Sequence, residues 1–154
     1  MSTITIPLQL SVRLDPASLT IRLQNRTAQA LRVWDPANSW GGASWSLHLV
    51  PVGGGAEHVL RPNKRPYTVN LPRFIEVPAH GQHELALAPG GPEWTFGEDL
   101  SAWRSISLGV RVVLDIAPSD EAARQQVATG QVESAEANSQ PPHRWLFATA
   151  AADR

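Results

Sequence analysis

A chain of 154 residues is one domain's worth of sequence, and a domain that size buries roughly 68–70% of the surface its unfolded chain exposes. With 42% hydrophobic and 18% charged residues, it reads as globular rather than disordered. The net charge of −1 excludes bulk attraction to nucleic acid or anionic membrane, and the lack of any cysteine excludes disulfides and thiolate zinc sites.

The first strand is expected over 4–14. Ile4, Ile6, Leu8, Leu10, Val12 and Leu14 take every second position, and successive side chains of a strand point to opposite faces. Pro7 has no N–H to give to a ladder, so this strand lies at a sheet edge or bends there. Asp15-Pro16 turns the chain. Leu19, Ile21 and Leu23 form the second strand, closed by Asn25-Arg26-Thr27. Leu31 and Val33 start a third, which ends at Trp34-Asp35-Pro36 because a residue before proline is driven out of the helical region.

A loop over 35–44 follows, then Trp45, Leu47 and Leu49 in a fourth strand, broken by Pro51 and Gly53-Gly54-Gly55. Val59-Leu60 is a short pairing segment. Alternation resumes at Tyr67, Val69 and Leu71, at Ile75 and Val77, and after a His80-Gly81 turn at His83, Leu85 and Leu87. Residues 88–105 read as loop. Ile106, Leu108, Val110, Val112, Leu114 and Ile116 then form a second long strand. Ser119 or Asp120 caps a short helix near 119–127, with Gly130 as its stop signal. Residues 132–134 and 144–148 are the last pairing segments expected.

This pattern predicts one all-β domain over 1–154, an antiparallel β-sandwich of about seven to nine strands with one short helix. Leu19 to Leu23, Asn25-Arg26-Thr27 and Leu31 to Trp34 resemble the "strand, Asn-rich turn, strand" opening of bacterial immunoglobulin-like domains of the intracellular proteinase-inhibitor type. Val77-Pro78-Ala79-His80-Gly81 with the strand after it is similar to the Pro-x-x-Gly turn of that group. The resemblance covers residues 4–116 and implies an immunoglobulin-like sandwich. It carries over no inhibitory residue, since no reactive loop matches. The cysteine pair of antibody domains is absent.

The N-terminus enters strand pattern at once, with no basic n-region and no apolar h-region, and no run reaches the ~18 apolar residues of a membrane span. A cytoplasmic location is the expectation, although a chain trimmed of a secretion leader reads the same. Lys64 is the one lysine among 13 basic residues, which resembles a GC-rich bacterial coding bias, an association rather than a physical argument.

Tryptophan is the unusual residue. Six are present, and Trp34, Trp40 and Trp45 crowd into one short stretch. Trp45 is in phase with Leu47 and Leu49, so it belongs to the core. Trp34 is out of phase with Leu31 and Val33. Trp40 sits among Ser and Gly beside Asn38, where an indole stacks on a sugar or anchors a protein partner, or else folds back over the core. A second candidate surface is the basic segment of Arg61, Lys64, Arg65 and Arg73, suited to phosphate or carboxylate unless it is simply solvated. The candidate binding residues are therefore Trp40, Asn38, Trp34, Arg61, Lys64 and Arg65.

His80 and His83 flank a tight turn, but His48, His58 and His143 offer no evident third metal ligand. Glu98-Asp99 lacks the oxygen count calcium requires, and Asn25-Arg26-Thr27 as a glycosylation sequon reads more simply as a turn. No nucleophile elbow, P-loop, Rossmann fingerprint or His-Glu-x-x-His is present. The expectation is a non-enzymatic interaction module with no metal or cofactor, whose partner is another protein or a second copy, not nucleic acid or membrane. A carbohydrate-binding module using Trp40 and Asn38 and a hydrolase built from loops are the alternatives.

Overall fold

Period-two alternation needs a second apolar surface to bury against, and the chain supplies it with two sheets that share one core. The computed structural model describes residues 4–14, 18–36, 44–62, 73–87, 89, 94–95 and 101–147. Among these the fold is all-β, with eleven strands in three sheets. One sheet has the order β1 (Leu8–Leu14), β2 (Leu19–Asn25), β7 (Gln82–Leu87). The six-stranded sheet runs β10 (Gly130–Glu133), β9 (Leu108–Ile116), β4 (Trp45–Pro51), β5 (His58–Pro62), β8 (Trp94–Thr95), with β11 (Ala137–Ser139) also on β9. The third pairs β3 (Leu31–Trp34) with β6 (Phe74–Val77). Leu10, Ile21 and Leu23 of the first sheet and Leu47, Leu49, Val110 and Val112 of the second belong to one buried cluster. Each such side chain contributes about 1.5–3 kcal/mol relative to exposure.

Eleven strands exceed the seven to nine expected: β8 lies inside the stretch 88–105 read as loop, β11 was not expected, and three strand paths are interrupted along their length. The ladder of β2 with β7 pairs Gln24 with Gln82, and the ladder of β3 with β6 resumes with Leu31 opposite Val77. The two ladders are one antiparallel ribbon in which both strands loop out, at Asn25 to Ala30 and at Pro78 to Gly81. β10 and β11 are likewise one neighbour of β9. Val132 pairs Leu114 and Ala137 pairs Val110, so one extra residue is accommodated between them, a bulge. Ser134 bridges it: its N–H donates to the Val112 carbonyl and its Oγ accepts from the Val112 N–H.

The two long alternating runs are in phase with the core but shorter than expected. Ile4 is 65% and Ile106 37% exposed. Ile6 is buried beside β10, donating its N–H to the Gln131 carbonyl, and Thr5 makes a parallel bridge to Gln131. The chain then bends at Pro7 and crosses to pair with β2, where β1 is an end strand. Ile106 follows a 3-10 helix (Ser101–Ser105) and donates its N–H back to the Trp103 carbonyl, so it precedes the ladder.

The helix α1 (Asp120–Gln125) forms where expected, with Ser119 Oγ accepting from the Ala122 N–H. Its stop differs. Gln126, at φ 59°, takes the left-handed position, and Gly130 opens β10 instead. Residues 144–147 are a helical turn rather than a strand, with the N–H groups of Leu146 and Phe147 both directed to the His143 carbonyl. The expected strand at Tyr67, Val69 and Leu71 lies outside the described residues.

Candidate functional site

Trp34 is buried at the end of β3 opposite Phe74, which removes it as a surface anchor. Trp45 is buried as expected, and its indole Nε1 has no hydrogen-bond partner. Arg61 is exposed on β5, opposite Thr95 of β8. Asn38, Trp40, Lys64, Arg65, Glu98 and Asp99 lie outside the described residues. His80 is exposed in its turn and His83 is on β7 opposite Leu23. Among the described residues, no group of three His, Asp or Glu is placed to hold a metal ion.

Two polar constellations emerge that the sequence reading did not single out. The first crosses the outer face of the six-stranded sheet. Ser46 and His48 alternate outward on β4, and their Oγ and Nε2 are 3.2 Å apart. His48 Nδ1 lies 3.2 Å from Glu57 Oε1 and 3.2 Å from an Arg111 guanidinium nitrogen, Nη2. Arg111, opposite His48 on β9, also holds Glu57 at 3.0 Å and reaches Glu133 at 3.7 Å. Period-two alternation over Trp45 to Leu49 puts Ser46 and His48 on one face, so this pair was legible; its partners depend on ladder register. Ser46 is 5% exposed, and a carboxylate and a cationic donor compete for the same imidazole nitrogen.

The second constellation lies under the C-terminal turn. Trp145 Nε1 donates to Ser139 Oγ at 2.7 Å, and Ser139 Oγ meets His143 Nδ1 at 2.6 Å. His143 Nε2 reaches the Ile106 carbonyl at 2.5 Å. A carbonyl can only accept, so Nε2 carries a proton. In that tautomer the Ser139 hydroxyl donates to Nδ1 while accepting from Trp145, and every polar atom of the chain is satisfied. Ser139 and His143 are buried. No sequence signal marks this set, because β11 and the helical turn bring its members together.

Two clefts flank β1. One, of about 180 Å³, lies on the outer face of its sheet and is lined by Ser11, Arg13, Thr20, Arg22 and Glu84. Arg22 Nη2 is 3.3 Å and Arg13 Nη1 3.9 Å from the same oxygen, Glu84 Oε2. The other, of about 320 Å³, opens beside Leu14 toward Asn138, Gln140, Pro142, Arg144 and Trp145, above the Ser139–His143 chain. That volume is at the low end for ligand pockets. Comparison with protein-family models, curated proteins and solved structures finds no match to this chain.

Proposed function

We propose that this chain is a non-catalytic, immunoglobulin-like interaction module that works through protein–protein contacts, alone or as a subunit of an assembly. The strand order supports the immunoglobulin-like reading. β1-β2-β7 and β10-β9-β4 follow the A-B-E and G-F-C orders of such sandwiches, with β5 extending the second sheet. Asn25-Arg26-Thr27 and Pro78-Ala79-His80-Gly81, the turns that resemble the proteinase-inhibitor type, face each other in this arrangement. The observation that carries the interaction reading is where the clefts lie: both border an end strand, while the reactive side chains are bonded within the fold. The loop 35–44, with Trp40 and Asn38, is the second proposed contact surface, and Arg61, Lys64 and Arg65 the third.

Light scattering on the eluting protein, with crosslinking to whatever co-elutes in fixed ratio, tests the reading. A chain that stays monomeric and alone at native abundance counts against it. Trp40→Ala refines it: weakened association by ~2 kcal/mol or more with an unchanged melting temperature assigns the loop to the interface. The opposite result assigns Trp40 to the core.

One observation favours a hydrolase as the second reading. Ser46 Oγ to His48 Nε2 and His48 Nδ1 to Glu57 is the contact order of an acyl-transfer triad. A fluorophosphonate probe that labels the protein, and no longer does so after Ser46→Ala, would establish that reading and remove the first.

A further inference from the structure

We propose that His48 is a proton-driven latch on the outer face of the six-stranded sheet. A proton taken up at Nδ1 moves Glu57 from Arg111 to the imidazole and sends Arg111 to Glu133. The latch goes beyond the interaction reading and needs no partner. The His48 side chain is only 16% exposed, so its ring nitrogens find their partners largely within the fold. Nε2 lies 3.2 Å from Ser46 Oγ, and Nδ1 lies 3.2 Å from both Arg111 Nη2 and Glu57 Oε1. A guanidinium nitrogen can only donate and an ionised carboxylate can only accept. One hydrogen of Arg111 Nη2 is directed to Glu57 Oε2 at 3.0 Å, and the other meets Nδ1. The neutral ring therefore has a bare Nδ1 and its proton on Nε2, donated to Ser46. In that state Nδ1 and Glu57 Oε1 are two acceptors in contact with no hydrogen between them.

That contact is where the second proton enters, bonding Nδ1 to Oε1. Imidazole is the side chain that ordinarily changes charge between about pH 5 and 8. The new Nδ1–H opposes the Arg111 N–H and repels the guanidinium. Arg111 Nε is buried without a hydrogen-bond partner, and Nη1 is 3.7 Å from Glu133 Oε1, just outside hydrogen-bond reach. A short swing toward Glu133 brings the guanidinium an acceptor that it lacks in the first state. Val59, opposite His48 on β5, is apolar. Arg61 of β5, Asp115 of β9 and Glu136, whose carboxylate lies over Gly109, share the outer face without a bond to the ring. The latch therefore acts on Glu57, which follows the Gly53-Gly54-Gly55 turn between β4 and β5. With the ring neutral, Glu57 is tied to β9; with the ring charged, it is tied to β4. An acyl-transfer triad needs the opposite tautomer, with Nδ1–H on Glu57 and a bare Nε2 facing Ser46. The tautomer of the neutral ring thus also separates the latch from the hydrolase reading.

The test is an NMR titration of the full isotope-labelled chain from about pH 8 to about pH 5, on the wild type, His48→Gln and Glu133→Gln. Unchanged core amide shifts show that both variants fold. Long-range imidazole spectra report which ring nitrogen carries hydrogen. The expected result is a bare Nδ1 and Nε2–H at the basic end, with both nitrogens protonated at the acid end. The amides of Glu57, His58 and Glu133 shift with the same midpoint as the ring, and His48→Gln abolishes those shifts. The Arg111 Nε–H signal moves downfield on acidification in the wild type and stays in place in Glu133→Gln. A ring with Nδ1–H at the basic end overturns the proposal. So do Glu57 and Glu133 amides that keep their shifts in His48→Gln, or an Arg111 signal that moves equally without the Glu133 carboxylate. Each of these results leaves the interaction reading standing and removes only the latch.

Discussion

Asn25 and Val77, 52 residues apart in sequence, are joined by a hydrogen bond from the Asn25 side-chain amide to the Val77 carbonyl at 3.1 Å. The same amide donates to the Gln29 carbonyl at 2.7 Å, and Asn25 Oδ1 accepts from the N–H and the hydroxyl of Thr27. The Asn25 backbone N–H donates to the Gly81 carbonyl, and the His80 N–H donates to the Thr27 carbonyl. One buried side chain thus ties together the two places where the β2/β3 and β6/β7 ribbon loops out.

Asn25→Ala removes that tie and leaves the carbonyls and the Thr27 N–H to find other partners. The expected loss is about 2–3 kcal/mol, since each buried polar group left unsatisfied costs about 1–3 kcal/mol. Arg26→Ala, at the exposed neighbour, should stay within about 0.5 kcal/mol. Urea melts of the two variants separate a structural pin from a generic turn; equal losses would show that the Asn25 network is not what holds the ribbon.

Gly130 and Gly54 isolate a close approach from backbone strain. Both have positive φ, 122° and 118°. A Cβ on Gly130 would sit 2.4 Å from the Ile4 carbonyl oxygen, whereas one on Gly54 meets nothing within 4 Å. Gly54→Ala should cost about 1 kcal/mol, the strain alone. Gly130→Ala should cost about 3 kcal/mol or more, because Ile4 must give way and the Gln131 N–H bond to its carbonyl goes with it. Hydrogen exchange at Gln131 should accelerate only in the Gly130 variant.

What was legible in the sequence followed local rules. The phase of β1, β2, β4 and β9, the Ser119 cap and the His80-Gly81 turn each depend on residues a few positions apart. Pro7 was also legible: the missing donor marked an edge, and the chain there leaves β10 for β2. The misreadings have long-range causes. The 144–147 segment looked like a strand because Trp145 and Phe147 alternate, but Trp145 is held by Ser139 and its backbone is helical. Trp34 was offered as a contact residue because phase alone put it opposite Val33; β3 is buried at both positions, since the ribbon it shares with β6 closes over the core. The Arg111 partner of His48 required cross-strand register, and the Ser139–His143–Trp145 set required the turn at 143–147 that the alternation had marked as strand.

The two faces of β9 should differ in energetic weight. Leu108→Ala or Val110→Ala removes a fully buried side chain and should cost about 2–4 kcal/mol. Arg111 faces outward and is 31% exposed, with Glu57 and Glu133 at 44% and 53%. Pairs so exposed contribute about 0–1 kcal/mol, so Arg111→Ala should cost less than about 1 kcal/mol. Its effect should shrink in molar salt, where exposed charges are screened. Urea melts at two ionic strengths give both comparisons, and a salt-independent loss matching that of Val110→Ala would overturn the assignment of Arg111 to a surface network.

Ser139 and Trp145 should behave as one energetic unit. Ser139→Ala removes the acceptor of the Trp145 N–H and the partner of His143 Nδ1 together, leaving two buried polar atoms without bonds. At about 1–3 kcal/mol for each such group, a loss near 2–4 kcal/mol is expected. Trp145→Phe removes the donor and some volume, for about 1–3 kcal/mol. In the double variant the orphaned indole N–H no longer exists, so the summed losses overcount it. The double variant should therefore be less destabilised than the sum by about 0.5–3 kcal/mol, the range for residues in direct contact. Additivity within about 0.3–0.5 kcal/mol would mean that the bond contributes nothing to stability. The readout that separates this network from general packing is location. Ser139 pairs with Leu108 and His143 reaches Ile106, so loosening the chain should raise exchange at the start of β9 while leaving β2 and β7 unchanged. Uniform acceleration across both sheets would instead mean that Ser139 acts only through the common core.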